Sequence, residues 1–166
     1  MALRNILTKE EELLYKSSRP VTEFNDRLHQ LLDDMRDTLA DSNGVGLAAP
    51  QVGVLRRVVL VLETNVEEDE EEYVIELINP EILAVSQEKE EGAEGCLSVP
   101  GEFGLVERPV AVMVRAQDRF GQWFEVEGFG LTARCFCHEI DHLDGVLFTS
   151  KVIRMLDKDE LRSDGE

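Results

Sequence analysis

Apolar residues recur at helical spacing along one stretch near the start of the chain. From Thr22 to Asp41 they lie three or four positions apart, after Pro20 and before an Asn-Gly pair at 43–44 that is typical of a helix end. This pattern predicts an amphipathic helix over residues 22–41. The positions that carry it are Phe24, Leu28, Leu31, Leu32, Met35 and Leu39.

A second helix is predicted near the end of the chain, from just after Gly130 to Asp144 and Gly145. We expect Gly145 to end the helix in the left-handed conformation that glycine adopts without strain. An apolar stripe on this helix should bury it against the rest of the fold. The stripe consists of Phe136, Ile140 and Leu143.

The intervening sequence has the short β-branched runs that are typical of strands. Two runs, 56–63 and 73–78, flank an acidic stretch at 67–72 that we interpret as an exposed hairpin tip. One helix, many strands and a second helix predict an α+β fold with mostly antiparallel strands, which we expect to be a single domain over residues 1–166. Further strands are predicted at 81–85, 96–99, 109–118 and 122–127.

The charge of the chain narrows the range of partners. Asp and Glu number 35 against 17 Lys and Arg, a formal charge of −18, so the surface should repel nucleic acids and acidic membranes. No apolar run reaches the roughly 20 residues of a membrane span, and the first residues lack the apolar region of a signal peptide. We expect a cytoplasmic protein. An odd number of cysteines, three, together with no signal peptide, favours reduced thiols over a disulfide framework.

The most informative motif is His138-Glu139-Ile140-Asp141-His142, on the second predicted helix. Residues four apart lie on one face of a helix, about 6 Å apart along its axis, so both imidazoles can reach one metal ion. Glu139 would stand beside any water bound to that ion. The motif therefore predicts a metal site with an adjacent proton acceptor.

A catalytic site of this kind usually has three protein ligands, so one ligand must come from elsewhere. The metzincin motif continues to a third histidine, but this chain has Phe148 at that position, which excludes that class. Thermolysin-like endopeptidases use a downstream glutamate instead, and Glu160 and Glu166 are the only glutamates after His142. An endopeptidase with Glu160 as third ligand therefore stays an alternative.

The three cysteines are the other candidates. Cys135 lies about 10 Å from His142 along the helix axis, too far to share one ion, so we interpret it and Cys137 as small apolar residues. Cys96 follows Gly95, which would allow close backbone approach at the start of a strand. We therefore prefer a site formed by Cys96 and the two histidines.

Three segments in this order make the chain resemble the peptide deformylases: 44–51 (Gly-Val-Gly-Leu-Ala-Ala-Pro-Gln), 94–98 (Glu-Gly-Cys-Leu-Ser) and 138–142. The resemblance extends from about residue 22 to about residue 152. It implies that one divalent ion is held by Cys96, His138 and His142. In this family the ion is natively ferrous iron, and zinc, nickel or cobalt can replace it.

The resemblance also implies the reaction and a bacterial-type cytoplasmic setting. The substrate would be the N-formyl group on the initiator methionine of newly synthesised polypeptides. Metal-bound water would attack the formyl carbon, with Glu139 first taking a proton and then returning it to the leaving amine. By resemblance, the Gln51 amide and the Leu97 backbone N–H stabilise the oxyanion.

The substrate peptide should bind as an added strand along residues 44–46, which include Gly46, and along Gly95. Val45, Leu131 and Cys135 are expected to line an apolar pocket for the methionine side chain. A catalytically silent metal-binding domain that only recognises peptide N-termini remains a further alternative.

Some positions depart from the family pattern. Cys137 stands where glutamine is common, and Phe103 stands where some members have a basic residue that holds the peptide. Residues 151–166 form a short segment of mixed charge, so we do not expect docking on the ribosome through a basic helix. The enzyme would nevertheless act near the ribosome, because its substrate is the nascent chain. We also expect an ion pair between Glu94 and Arg108 beneath the Cys96 strand.

Overall fold

The computed structural model describes residues 2–160. Two α-helices are connected by a series of strands, with short 3-10 turns at Glu12–Tyr15, Ala49–Val52 and Phe148–Ser150. The helices are α1 (Asp26–Ser42) and α2 (Leu131–Leu143). The strands are β1 (Gly46–Ala48), β2 (Val58–Glu63), β3 (Tyr73–Val85), β4 (Lys89–Cys96), β5 (Val99–Pro109), β6 (Ala111–Gln117), β7 (Trp123–Phe129) and β8 (Arg154–Leu156).

The strands form two separate antiparallel sheets. One has five strands in the order β1-β2-β3-β6-β7, and the other has three in the order β4-β5-β8. Strand β2 is buried on both faces because alternate side chains point to opposite sides of a sheet. Val59 and Val61 pack in the core that contains α2, whereas Val58 and Leu60 pack in the core that contains α1. The predicted α+β class, with a buried C-terminal helix, is confirmed.

Helix α1 begins four residues later than predicted. Asn25 caps it, its side chain accepting a hydrogen bond from the Leu28 N–H at 3.2 Å, so the first helical residue is Asp26. Phe24 thus precedes the helix but still packs against the same core. Helix α2 ends as expected, with Gly145 at a φ of 75°.

The strand predictions are partly wrong around the middle of the chain. The runs at 73–78 and 81–85 form one strand, β3. The predicted strand at 96–99 contains a two-residue turn, at residues 97–98, that joins β4 to β5. Most of β4 and most of β5 were not predicted. The reason is that half of the β4 residues are exposed and the strand is rich in glutamate, so it lacks the apolar alternation of a half-buried strand.

The acidic stretch at 67–72 is an exposed connection between β2 and β3, as predicted. In the part of the chain that the structure describes, no helix is both long and apolar enough to cross a membrane.

Candidate metal centre and active site

Three predicted ligands come together where β4 meets α2. Cys96 is the last residue of β4, and His138 and His142 lie one turn apart on α2. Their ligand atoms all lie within 4.8 Å of one another, and Cys96 Sγ is 3.4 Å from His142 Nε2. One thiolate and two imidazoles form a donor set that suits zinc or iron. The residues present therefore fit a divalent metal ion.

The alternative third ligand lies outside this group. Glu160 makes an ion pair with Arg154 at 2.5 Å, and its backbone N–H donates to the Asp157 carboxylate at 2.9 Å. Glu166 lies outside the described residues. The geometry thus favours Cys96 over Glu160.

Buried hydrogen bonds set the orientation of His138. Its Nδ1 lies 3.0 Å from Glu94 Oε1, which leaves Nε2 for the metal. Burial opposes ionisation of Glu94, but hydrogen bonds from His138 and Arg108 outweigh this effect and lower the pKa of its carboxyl to about 2. Glu94 therefore carries a full negative charge beside the ligand ring.

Two arginines balance the charge of Glu94. Arg108 donates to both carboxylate oxygens, at 2.9 and 3.0 Å, and Arg134 donates to Oε2 at 2.7 Å. Arg108 also donates to Asp141, inside the His-Glu-x-x-His motif, at 2.9 Å. The expected Glu94–Arg108 ion pair is confirmed, and it is part of a network that joins β4, β5 and α2.

Arg134 was not predicted to belong to the site, although its position in the sequence indicates that it does. Arg134 lies four residues before His138, so it faces the same side of α2, and it is almost fully buried. An arginine on a buried helix face requires an acidic partner. The sequence does not show which acidic residue that partner is, because Glu94 is 40 positions away.

The second histidine is kept neutral by its surroundings. Burial, together with the proximity of His138, lowers the pKa of His142 to about 3, and neutral imidazole is the form that binds metals. Phe148, which stands where metzincins have a histidine, is buried and stacks on the His138 ring with centroids 5.9 Å apart. This phenylalanine supports a ligand ring instead of providing a ligand.

Glu139 is a buried acid at the wall of the site. Burial disfavours its charged form and raises the pKa of the carboxyl to about 7. Its Oε1 has no hydrogen-bond partner within residues 2–160. A carboxyl group with a pKa near neutrality can both accept and return a proton.

Gly46 makes room for this carboxylate. A Cβ at Gly46 would lie 2.5 Å from Glu139 Oε2 and 2.6 Å from Cys135 Sγ, so a larger residue would displace both. Gly95 has a similar role, because a Cβ there would lie 2.4 Å from the Phe103 ring. The space that a Cβ would need at each glycine is thus filled by the protein's own side chains, and contact of these glycines with the substrate backbone stays a prediction.

Gln51 lies in the 3-10 turn that follows β1 and is 1% exposed. Its Oε1 accepts a hydrogen bond from the Ala48 N–H at 2.9 Å, which directs Nε2 toward Ser98 Oγ at 3.0 Å and Cys96 Sγ at 3.5 Å. Leu97 occupies the turn directly after Cys96. The two predicted oxyanion donors thus lie on segments that flank the thiol.

A cavity of about 470 Å³ opens beside these groups. Its rim is apolar and half-exposed, formed by Val45, Phe103 and Leu131. In the described chain β1 pairs only with β2, which leaves its other edge unpaired. Every predicted catalytic and substrate residue lines the cavity: Val45, Gly46, Gln51, Gly95, Leu97, Leu131, Cys135 and Glu139, together with the ligands Cys96 and His138.

Comparisons with known proteins agree on one family. The family model described as polypeptide deformylase matches residues 3–158. A peptide deformylase from Caldicellulosiruptor bescii is 55% identical over 161 residues, which cover 97% of this chain and 92% of the relative. One from Alkaliphilus metalliredigens is 50% identical over 93% of this chain and 99% of the relative.

Solved structures give the same result. The crystal structure of peptide deformylase from Thermotoga maritima has a TM-score of 0.85 at 37% identity and covers 92% of this chain and 99% of that one. A Met-Ala-Ser bound structure of the class I type b enzyme from Acinetobacter baumannii has a TM-score of 0.83 at 38% identity, with 91% and 99% covered.

We predict that Glu94→Gln destabilises the protein by about 3 kcal/mol, because it leaves the buried Arg134 without a carboxylate and Arg108 with Asp141 alone. Metal affinity should also fall about 10- to 100-fold as the orientation of His138 loosens. Urea denaturation at matched metal content and a metal titration measure the two effects. Glu91→Gln, an exposed change on the same strand, is the control. A loss equal to that of the control would contradict the role of the network.

Proposed function

The chain belongs to the peptide deformylase family, and we propose that Cys96 and the two histidines of α2 hold its metal ion while Glu139 transfers the proton. The enzyme is a metal-dependent hydrolase that removes the formyl group from nascent polypeptides. The observation that carries the residue assignment is the grouping of the three ligand atoms within 4.8 Å, at a cavity that Glu139 also lines.

The bound ion supplies Lewis-acid chemistry, lowering the pKa of water and polarising the formyl carbonyl. We propose that the native ion is ferrous iron and that zinc, nickel or cobalt can replace it. Cys96 would hold the ion as the thiolate, and the two rings would hold it as neutral imidazoles through Nε2. The Glu94 contact supports this for His138, because it occupies Nδ1.

Glu139 acts first as base and then as acid. Its carboxylate takes a proton from the water that attacks the formyl carbon. It then delivers this proton to the methionine nitrogen as the carbon–nitrogen bond breaks, so that formate and a free amine leave. The raised pKa of Glu139 supports both steps, because protonated and ionised forms lie close in free energy near neutral pH.

Negative charge develops on the formyl oxygen during attack. We assign its stabilisation to Gln51 Nε2 and to the Leu97 backbone N–H. The anchoring of Gln51 Oε1 by Ala48 supports this, because it directs the amide donor toward the thiol side of the site before substrate binds. Donors that are oriented in advance require little reorganisation during the reaction.

The substrate backbone extends the edge of β1 along residues 44–46, with Gly95 on the opposite side, and backbone hydrogen bonds of this kind tolerate varied sequences. The methionine side chain lies among Val45, Leu131 and Cys135. A Met-Ala-Ser complex of the Acinetobacter baumannii relative supports binding of a short peptide here.

We treat residues 1–166 as one catalytic domain that meets polypeptides as they leave the ribosome. Residues 154–156 pair with β5 as strand β8 and thus belong to the three-stranded sheet. This part of the C-terminal region therefore serves the fold, and we assign it no docking role.

The ligand set is tested by comparing Cys96→Ala with Glu160→Ala. We expect Cys96→Ala to abolish bound metal and hydrolysis of formyl-Met-Ala, because two imidazoles alone hold the ion weakly. Glu160→Ala should change neither, since this carboxylate pairs with Arg154 at the surface. Metal analysis and formate release measure both. Retention of metal in the first variant and its loss in the second would refute the assignment.

The role of Glu139 is tested by Glu139→Ala. This variant should keep its metal, because no ligand changes, but kcat should fall about 10²- to 10⁴-fold. Steady-state kinetics and elemental analysis of one preparation separate the two effects. A kcat within about 3-fold of the wild-type value would assign the proton transfer to another group.

The native metal is tested by elemental analysis after anaerobic purification. We expect about one iron per chain, and activity that declines in air as ferrous iron and its thiolate ligand oxidise. Replacement by nickel or zinc should make the activity insensitive to oxygen. Zinc in the anaerobic preparation, with activity stable in air, would overturn the iron proposal.

A further inference from the structure

Residues 2–9, here called the N-terminal arm, lie outside the helices and strands and begin against α1. The Ala2 N–H donates to Asp37 at 3.2 Å, and the Arg4 N–H donates to Thr38 Oγ1 at 3.0 Å. The Arg4 guanidinium pairs with Asp34 at 2.9 Å. These contacts hold the start of the arm on the helix.

The other end of the arm contacts the two segments that flank the thiol. The Leu7 N–H donates to the Gln51 carbonyl at 2.7 Å, and the Lys9 N–H donates to the Ser98 carbonyl at 2.9 Å. Gln51 and Ser98 are also joined through their side chains at 3.0 Å. The arm therefore spans the same pair of segments that carry Gln51 Nε2 and the Leu97 N–H.

This span matters because the two segments belong to different sheets. The Gln51 turn follows β1 of the five-stranded sheet, and the turn at Leu97 and Ser98 joins two strands of the three-stranded sheet. No strand ladder connects the sheets within residues 2–160. Backbone hydrogen bonds from the arm thus fix the distance between the Gln51 turn and the turn at Leu97 and Ser98, which strand pairing does not determine.

The side chain of Leu7 strengthens this link. It packs against a buried cluster that contains Leu14, Val106 and Phe148, and Cys96 packs against the same cluster. Lys9 also makes an ion pair with Glu102 on β5. The end of the arm is therefore held on both sides of the site by backbone and side-chain contacts.

We propose that the N-terminal arm is a positioning element that sets the separation of the two oxyanion donors through the amides of Leu7 and Lys9. This inference rests on the proposed function, since it takes Gln51 and Leu97 as the donors. Small errors in donor position cost rate: a displacement of about 1 Å can lower it about 10²-fold. The arm should therefore act on kcat and leave KM and metal content largely unchanged.

The experiment removes one N–H at a time and controls for the side chain. Leu7→Pro is compared with Leu7→Ala, and Lys9→Pro with Lys9→Ala, because alanine loses the same side-chain contacts but keeps the N–H. We expect each proline variant to have a kcat about 10-fold below that of its alanine control, with KM within about 2-fold. Asn5→Pro, at an exposed arm residue whose amide makes none of these contacts, should behave like the wild type.

Metal content and thermal melting of each variant identify simple loss of folding. If Leu7→Pro melts early, Lys9→Pro decides the question, because Lys9 is exposed and its replacement removes no core packing. A proline variant that folds and binds metal but has the kcat of its alanine control overturns the proposal. Equal effects at Asn5 would also overturn it, because they would show a general disturbance of the arm.

A double-mutant cycle with Gln51→Ala distinguishes failure of the Gln51 assignment from failure of the arm proposal. Gln51→Ala alone should lower kcat about 10²-fold. If it does not, the assignment of Gln51 fails, and the arm proposal fails with it. If it does, Leu7→Pro should cost much less in the Gln51→Ala background than in the wild type, because the arm acts through that donor. Full additivity would refute the arm proposal and leave the function of Gln51 intact.

Discussion

The buried carboxylate of Glu94 is the interaction on which the geometry of the site depends. An isolated charge in a protein interior costs several kcal/mol, and this one is compensated by two guanidinium groups and an imidazole. Each partner belongs to a neighbouring element: Arg108 to β5, Arg134 and His138 to α2. The carboxylate can therefore be buried only when the β4–β5 hairpin and the helix have docked in one relative position.

The same strand carries Cys96, the proposed thiol ligand, two residues later. The β4–β5 ladder changes register between Glu94 and Cys96, and irregularities of this kind redirect side chains near functional sites. Both side chains reach α2, one as partner of His138 and the other within 3.4 Å of His142 Nε2. The short Glu-Gly-Cys segment thus positions one proposed ligand, Cys96, and orients the ring of another, His138.

The sequence predicted the helices and the chemistry better than it predicted the sheet. Helical periodicity and the spacing of His138 and His142 are local properties, so they can be recognised without knowledge of the fold. Strand β4 could not be recognised, because its residues Glu90 and Glu91 face solvent and only its docking on β5 makes it a strand. The partner of Arg134 was also beyond reach, because the pair is joined only by tertiary contact.

The glycines show a related limit. Sequence reasoning placed Gly46 and Gly95 at the substrate, which is consistent with their position on the cavity wall. It could not show that Glu139 and Phe103 occupy the space that a side chain would need. A glycine at these two positions is thus required by the protein's own packing as well as by the predicted approach of the substrate.

These contacts position the proposed metal ligands. The bond from His138 to Glu94, the stacking of Phe148 on the same ring and the arginine network all lie outside the group of ligand atoms. They hold α2 against β4 at the separation that brings the three candidate ligand atoms within 4.8 Å of one another. Groups that packing holds in place lose little conformational freedom on binding, so such contacts favour affinity for an ion. Burial of the Glu94 carboxylate thus requires the same docking of β4 and α2 that brings the proposed ligands together.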